Sequence, residues 1–218
     1  MLLATVMTLI LSVGAFSLGL VLGALGAALK RARLNVVRWL TEAFTTAARG
    51  IPELLIIYLL FFGGSSGIMF VAKIFGYNGY IEINALMIGI VAVGVVQGAY
   101  QTEVFRGAVD AVPKGQIEAA RAAGMSDLLM FRRILVPQVL RLALPGLGNC
   151  CVSAMKETAL VSIVGMVEIM RQAHIGAGST RHPFLFYGLA AALFLALTSF
   201  SGAGFRKLEI WARRGERS

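Results

Sequence analysis

EAARAAGMSDLLMFRRILVP, residues Glu118–Pro137, is a charged island between two long apolar segments. Its first half has helix-forming composition with an acidic residue near the start, and Pro113 shortly before it suits a turn into a helix. Gly124 interrupts this helix and permits a bend. A polar helix between apolar segments is typical of a docking element, so we expect residues 116–137 to bind a partner protein.

The composition of the whole chain indicates a membrane domain. Of its 218 residues, 58% are hydrophobic and 14% are charged, and the mean hydropathy is +0.80. A soluble domain of this size carries about a quarter charged residues. The polar surface is too small to cover a globule in water, so the solvent of this chain must be lipid. Because no linker or low-complexity run interrupts the pattern, we expect one transmembrane domain over residues 1–218.

Five segments are apolar enough to cross a bilayer, which takes about 20 residues each. The first segment is too long for the core of a signal peptide and has no basic region before it, so we count it as a span. The sequence therefore predicts an all-α membrane protein with five transmembrane helices. These helices are expected over residues 2–29, 37–62, 83–105, 142–167 and 183–205.

The basic residues orient this arrangement. In a five-span topology, 15 of the 20 Lys and Arg residues fall on one side, whereas the opposite connections hold Lys73, Arg171 and Arg181. The positive-inside rule then predicts an external amino terminus and a cytoplasmic carboxyl terminus, with residues 116–137 in the cytoplasm. The net charge of +9 is explained by this asymmetry, and we expect no nucleic-acid partner.

The sequence offers little for catalysis. Cys150 and Cys151 are adjacent in an apolar segment, and a metal site needs more ligands than these. The chain contains no Gly-Lys dipeptide, so it has no phosphate-binding loop of the form G-x-x-x-x-G-K-[ST]. We expect no catalytic residue, no metal and no cofactor in this chain, which is therefore not an enzyme.

The charged island resembles the EAA loop of permease subunits of ABC importers. In that family E-A-A-x3-G is followed, after nine further residues, by I-x-L-P, and here Val136 replaces the usual Leu. The matching residues are Glu118, Ala119, Ala120, Gly124, Ile134 and Pro137. The resemblance implies the type I ABC importer permease fold, with a coupling helix between spans 3 and 4. Glu118, Ala119, Ala120 and Gly124 would then contact the ATPase.

Other motifs resemble those of the polar amino-acid permeases, most strongly the histidine, lysine-arginine-ornithine and opine group. They are RGIP at Arg49–Pro52, GAYQTEVFRG at Gly98–Gly107, VPKGQ at Val112–Gln116 and LPGLGN at Leu144–Asn149. The resemblance implies import of a polar amino acid, with a cationic one favoured, or of an opine. Which of these the chain carries is left open by the sequence.

The same resemblance implies the partners. They are an ABC ATPase homodimer that binds ATP and Mg, an external or periplasmic substrate-binding protein, a second permease protomer and membrane lipid. The second protomer is expected to be a similar but distinct chain, with a homodimer as the alternative. The expected location is the bacterial cytoplasmic (inner) membrane. The alternative to a permease is an ion-coupled secondary transporter or a channel, which would also carry charges inside the membrane but would need no EAA helix.

Ionisable residues at membrane depth usually face a cavity or a partner. Arg49 and Glu53 lie near the middle of the second predicted span, one helical turn apart, and Pro52 between them is expected to distort that helix. We hypothesise that Glu53, Gln97 and Glu157 face a cavity that receives a cationic solute, because two carboxylates suit a guanidinium or ammonium group. The alternative is that these charges form interhelical ties. The pairs expected in that case are Arg49 with Glu53 and Lys156 with Glu103.

Overall fold

The computed structural model describes residues 1–77 and 84–213, and every regular element in these ranges is a helix. The predicted all-α architecture is therefore confirmed. Residue 83, where the third predicted span begins, and residues 214–218 of the predicted domain lie outside the described ranges. The helices are α1 (Leu2–Leu29), α2 (Asn35–Gly50), α3 (Glu53–Tyr58), α4 (Gly64–Ile74), α5 (Ala85–Asp110), α6 (Lys114–Ala122), α7 (Asp127–Met130), α8 (Val136–Val161), α9 (Ile169–Thr180) and α10 (Pro183–Arg213).

Short irregular helices join some of these elements. A π-helical segment, Leu59–Gly63, connects α3 to α4, and a second, Phe131–Leu135, connects α7 to α8. A 3₁₀ turn, Ser162–Val164, follows α8. Across the described ranges, four helical stretches are long and apolar enough to cross a membrane, and a fifth crossing results if α2 and α3 are counted as one bent span.

The centre of the fold is the close packing of α1 along α5. Three glycines on one face of α1 lie against the backbone and side chains of Gln101 and Thr102. A Cβ atom added at Gly23 would lie 2.7 Å from the Cβ of Gln101, and one added at Gly26 would overlap the Thr102 side chain. Small residues at such positions let two helix backbones approach closely. We refer to this contact, built from Gly19, Gly23, Gly26, Gln101 and Thr102, as the α1–α5 seam.

Helix α8 packs between α5 and α10, and the glycines of its LPGLGN motif explain how. A Cβ atom at Gly146 would lie 2.7 Å from Cγ1 of Val104 on α5. A Cβ atom at Gly148 would lie 3.1 Å from the Cβ of Phe205 on α10. Leu147 between them is buried in the core. The motif therefore allows α8 to approach a different neighbour on each side.

The second predicted span is not one helix. α2 ends at Gly50, α3 begins at Glu53, and the two helices are bent by 111° at this break. Ile51 is extended (φ −89°, ψ 140°), because a residue before proline avoids the helical region. The distortion predicted at Pro52 is thus confirmed. The expectation that Arg49 and Glu53 lie one turn apart on a single helix is wrong, because Arg49 ends α2 and Glu53 begins α3.

Candidate functional site

A polar cavity of about 470 Å³ lies between α2, α3, α5 and α8. The break at Pro52 turns the end of α2 and the start of α3 toward it, so that Arg49 and Glu53 both line its wall. All three predicted substrate residues, Glu53, Gln97 and Glu157, belong to its lining. The other polar lining residues are Tyr100, Glu103, Asn149 and Ser153. We call this space the polar cavity.

A larger cavity has a different character. Its volume is about 960 Å³, and it lies between the start of α1, the start of α5 and the segment that joins α8 to α9. Its described lining is mostly apolar, with Asn84 and Gln172 as the polar side chains. Size alone would favour this cavity, but the described part of its wall offers no charged side chain with which to orient a polar solute. The polar cavity is therefore the better candidate site.

Gln97 and Glu157 form a buried pair across the polar cavity. Gln97 Nε2 donates a hydrogen bond of 2.7 Å to Glu157 Oε1, which joins α5 to α8. Gln97 is fully buried and Glu157 is 6% exposed. Within the described ranges, Glu157 Oε2 and Gln97 Oε1 have no hydrogen-bond partner. Such free oxygens are uncommon in buried groups, and they leave the carboxylate able to accept a hydrogen bond from a cation.

Tyr100 contacts two further charged residues of the wall, Arg49 and Glu53. Its hydroxyl donates to Glu53 Oε1 at 3.5 Å, the outer limit of a hydrogen bond. The guanidinium carbon of Arg49 lies 5.6 Å from the centre of the Tyr100 ring, a cation–π contact. Sequence analysis did not identify Tyr100 as a site residue, although it belongs to the quoted GAY motif. The position of Tyr100 in this motif was the signal that the sequence offered.

The two interhelical ion pairs of the alternative interpretation are not formed. Arg49 and Glu53 do not form an ion pair within 4 Å, and Glu103 is paired with Lys30 and Arg106 instead of Lys156. Lys156 lines a neighbouring cavity of about 350 Å³ together with Glu53 and Glu157. In the part of the chain that the structure describes, Arg49 and Lys156 therefore have no acidic partner within 4 Å.

A second group of charges is paired throughout. The Lys30 ammonium contacts Glu103 and lies 2.7 Å from Glu42 Oε2, and its side chain is only 3% exposed. Arg106 contacts Glu103 at 2.8 Å. Asp110 pairs with Arg31 and, at 3.1 Å, with Arg106. We call these residues the charged network: Lys30, Arg31, Glu42, Glu103, Arg106 and Asp110. The sequence signal for it was the spacing of Glu103 and Arg106, whereas nothing in the sequence identified Lys30 as their neighbour.

The predicted coupling segment folds as two short helices at one end of the molecule. α6 ends at Ala122, and Gly124 follows with a positive φ of 75°. The amide of Met125 then donates to the carbonyl of Ala120 at 3.1 Å, which is the hydrogen bond of a Schellman motif. The hydroxyl of Ser126 accepts from the amide of Leu129 and begins α7. Gly124 thus ends one helix and redirects the chain into the next.

The predicted ATPase-contacting residues differ in exposure. Glu118, Ala119 and Gly124 are exposed, and a Cβ atom at Gly124 would meet nothing within 4 Å. Ala120 is 6% exposed because it is turned toward the chain itself. The exposed face of α6 is therefore available to another protein, whereas Ala120 fixes how α6 lies on its own chain.

The chain matches the family described as "Binding-protein-dependent transport system inner membrane component" over residues 18–208. It is 52% identical over 215 residues to the octopine transport system permease protein OccQ of Rhizobium radiobacter, covering 99% of this chain and 91% of that protein. It is 39% identical to the arginine ABC transporter permease protein ArtQ of Haemophilus influenzae, covering 98% and 94%. It is 37% identical to the histidine/lysine/arginine/ornithine transport system permease protein HisQ of Escherichia coli, covering 93% and 88%.

Solved structures give the same result for the fold. The chain superposes on the crystal structure of an amino acid ABC transporter with histidines with a TM-score of 0.79 and 29% identity, covering 94% of this chain and 90% of that one. It also superposes on the inward-facing MetNI methionine ABC transporter with a TM-score of 0.71. Identity to the latter is 19%, with 97% and 93% covered, so this likeness concerns the fold alone.

Proposed function

The chain belongs to the family of binding-protein-dependent transport system inner membrane components, and on this basis we propose that its polar cavity receives the transported solute. The chain is a transmembrane permease subunit of an ATP-driven ABC importer for polar amino acids or opines. It is not itself an enzyme, since a separate chain hydrolyses ATP. An ion-coupled secondary transporter or a channel receives no support from these relatives.

The observation that carries the proposed site is the free oxygen of Glu157. This carboxylate is buried and held in place by Gln97, its second oxygen has no hydrogen-bond partner within the described ranges, and Glu157 lines the same cavity as Glu53. A guanidinium or ammonium group fits between two carboxylates, and it would supply the hydrogen bond that the chain lacks. The substrate we propose is thus a cationic amino acid or an opine that carries a guanidinium group. Gln97 acts as a positioning residue, because its own side chain is fully buried.

Glu157→Gln tests this site with little change in shape. The amide oxygen can still accept the hydrogen bond from Gln97, whereas the negative charge is lost. We expect uptake of radiolabelled L-arginine or octopine by vesicles containing the whole transporter to fall at least about tenfold, as for loss of a hydrogen bond to a charged group. Glu209→Gln in α10 provides a control that removes one half-buried carboxylate outside the cavity. Unchanged uptake by Glu157→Gln would remove the proposed site.

We further propose that α6 and α7 dock on the ATPase at the cytoplasmic face, with the amino terminus outside the bacterial inner membrane. The support is the exposed face of α6 and the basic residues of residues 106–141, which the positive-inside rule assigns to the cytoplasm. The ATPase would act as a homodimer with ATP and Mg. The second permease would be a similar but distinct chain, with a homodimer as the alternative, and the substrate-binding protein would meet the external face.

Two substitutions at Gly124 distinguish the effect of its positive φ from the effect of adding a side chain. Valine is strained at a positive φ, whereas asparagine adopts this conformation readily. Because nothing lies within 4 Å of the site, neither side chain is excluded by the chain itself. We expect Gly124→Val to abolish co-purification of the ATPase and Gly124→Asn to retain most of it. Equal co-purification with both variants would contradict docking through this turn.

A further inference from the structure

Arg49 is a cation in the wall of the polar cavity, and its position there is not explained by an ion pair within the described part of the chain. It is exposed, and within residues 1–77 and 84–213 it has no carboxylate within 4 Å. The nearest acidic residue in the sequence, Glu53, instead accepts a hydrogen bond from Tyr100. A structural arginine in a transmembrane protein is normally paired with an acid or a carbonyl group, so the absence of such a partner needs another reason.

Tyr100 orients this guanidinium without using its hydrogen-bond donors. The guanidinium carbon lies 5.6 Å from the ring centre, so the contact is made with the face of the ring. A guanidinium that stacks on an aromatic ring keeps its N–H groups free, and their planar fork matches the two oxygens of a carboxylate. The cavity therefore contains an oriented group that can bind a carboxylate, beside the carboxylates of Glu53 and Glu157.

The signs of these charges are complementary to one class of solute. Glu103 in the same wall is neutralised by Lys30 and Arg106, so Glu53 and Glu157 supply two negative charges and Arg49 supplies one positive charge. An α-amino acid with a cationic side chain carries two positive groups and one carboxylate. An amine that lacks the carboxylate would satisfy Glu53 and Glu157 but would leave Arg49 facing the same positive charges, which is unfavourable.

We propose that Arg49 binds the carboxylate of the transported solute and so makes the site selective for amino acids and opines over the corresponding amines. This inference rests on the proposed function of the polar cavity. It adds recognition of the solute's carboxylate to recognition of its cationic groups. Glu53 and Glu157 bind the cationic groups, and Arg49 on the opposite side of the Pro52 break binds the anionic end. Tyr100 is the residue that positions Arg49.

The test uses three probes that share a guanidinium group. L-arginine and octopine carry carboxylates, whereas agmatine is arginine without its carboxylate. Binding of each probe is measured by equilibrium dialysis with the assembled transporter in nanodiscs, without the substrate-binding protein, so that selectivity belongs to the membrane site. The variants are Arg49→Gln, Glu157→Gln and the control Arg38→Gln, which removes one positive charge from an exposed position of α2 that does not line the polar cavity.

We expect Arg49→Gln to weaken binding of L-arginine or octopine about tenfold to a hundredfold and to change agmatine binding less than about threefold. Arg38→Gln should leave all three dissociation constants unchanged. If Arg49→Gln weakens the carboxylate probes and agmatine equally, or weakens neither, the inference is overturned. An arginine that only stabilises the end of α2 would give the equal result.

Glu157→Gln distinguishes this failure from failure of the proposed function. It should weaken all three probes, because each presents the same guanidinium group. If the wild-type transporter binds none of the probes, or if Glu157→Gln leaves their binding unchanged, the polar cavity is not the substrate site and the Arg49 inference fails with it. If Glu157→Gln weakens binding of all three probes while Arg49→Gln affects the carboxylate probes and agmatine alike, only the Arg49 inference fails.

Discussion

Helix α5 has two faces of opposite character. The face toward α1 is closely packed, with glycines opposite Gln101 and Thr102, and its charges are paired, with Glu103 between Lys30 and Arg106. The face toward α3 and α8 is unmatched, because Gln97 and Tyr100 hold Glu157 and Glu53 and neither carboxylate has a cation within 4 Å in the described ranges. Charges that are paired within the chain maintain the fold, whereas charges that are held but left unpaired are available to a ligand.

The largest effect is expected from breaking the charged network at Lys30. Lys30→Met removes a buried cation from between Glu42 and Glu103, and Glu103 then has Arg106 as its remaining partner. We expect the free energy of unfolding to fall by about 3 kcal/mol, the lower end of the range for breaking a buried ion pair. Thermal unfolding of the purified transporter in detergent measures this loss.

The matched control for Lys30→Met is Arg38→Met. Arg38 is exposed and has no acidic partner among the ion pairs of the described chain, so its loss should change stability little. If both variants unfold at the same temperature, the charged network does not maintain the fold and the contrast between the two faces disappears.

The next effect tests the α1–α5 seam with a single methyl group. Gly26→Ala would push a Cβ atom into the Thr102 side chain, which we expect to cost about 1–3 kcal/mol of stability. Gly204→Ala in α10 meets nothing within 4 Å, and it should stabilise its helix by up to about 1 kcal/mol. The two substitutions are chemically identical, so opposite shifts in the unfolding temperature would identify the seam as the cause. Equal shifts would contradict it.

On the unmatched face, removing a charge should not harm the fold. Glu157→Gln keeps an acceptor for Gln97 and eliminates a buried carboxylate that has no ionic partner within 4 Å among the described residues. We expect stability to be unchanged or to rise by about 1 kcal/mol, because an uncompensated buried charge is costly. Glu103→Gln, which weakens two ion pairs, should instead destabilise. Destabilisation by Glu157→Gln as large as that of Glu103→Gln would make Glu157 an interhelical tie.

The smallest expected effect on stability concerns a buried carboxylate that lies on neither of the two faces of α5. Glu168 is fully buried at the start of α9, where it accepts a hydrogen bond from the amide of Arg171 at 2.7 Å. Burial raises the pKa of Glu168 above its ordinary value of 4.5, although hydrogen bonds from the Met170 and Arg171 amides oppose the shift.

A raised pKa means that the folded chain retains a proton at Glu168 after the unfolded chain has lost it. Stability should therefore fall as the pH rises from the ordinary value through the raised pKa. Glu168→Gln should remove this part of the pH dependence and leave uptake unchanged. Unfolding temperatures between about pH 4 and pH 8 measure it, and the same pH profile in both proteins would contradict the assignment.

Local sequence rules predicted the features that depend on neighbouring residues. Proline restricts the residue before it and cannot continue the hydrogen bonding of a helix, so the break at Pro52 followed from one residue. The interruption at Gly124 followed in the same way from the freedom of glycine at positive φ. The grouping of Glu53, Gln97 and Glu157 in one cavity was predicted because the sequence provides few other polar residues at membrane depth.

Features that depend on which helices meet could not be predicted. The alternative interpretation of the sequence paired Glu103 with Lys156, but its partner Lys30 is 73 residues away in the sequence and is brought to it by the packing of α1 on α5. The hydropathy of the sequence predicts the length of α1, but it does not predict that α1 packs against α5. The unpaired state of Arg49 was missed for the same reason, since it depends on Tyr100 taking the place beside Glu53.

The α1–α5 seam also has a mechanical consequence. Two helices in such close contact move as one rigid body, and three residues, 111–113, separate α5 from α6. Gln97 lies 13 residues above the lower end of α5, or about 20 Å at about 1.5 Å per residue. A force applied to α6 would therefore be transmitted along α5, together with α1, to Gln97 in one wall of the polar cavity. The break at Pro52 allows α3, in the opposite wall of the cavity, to keep its position when α5 moves.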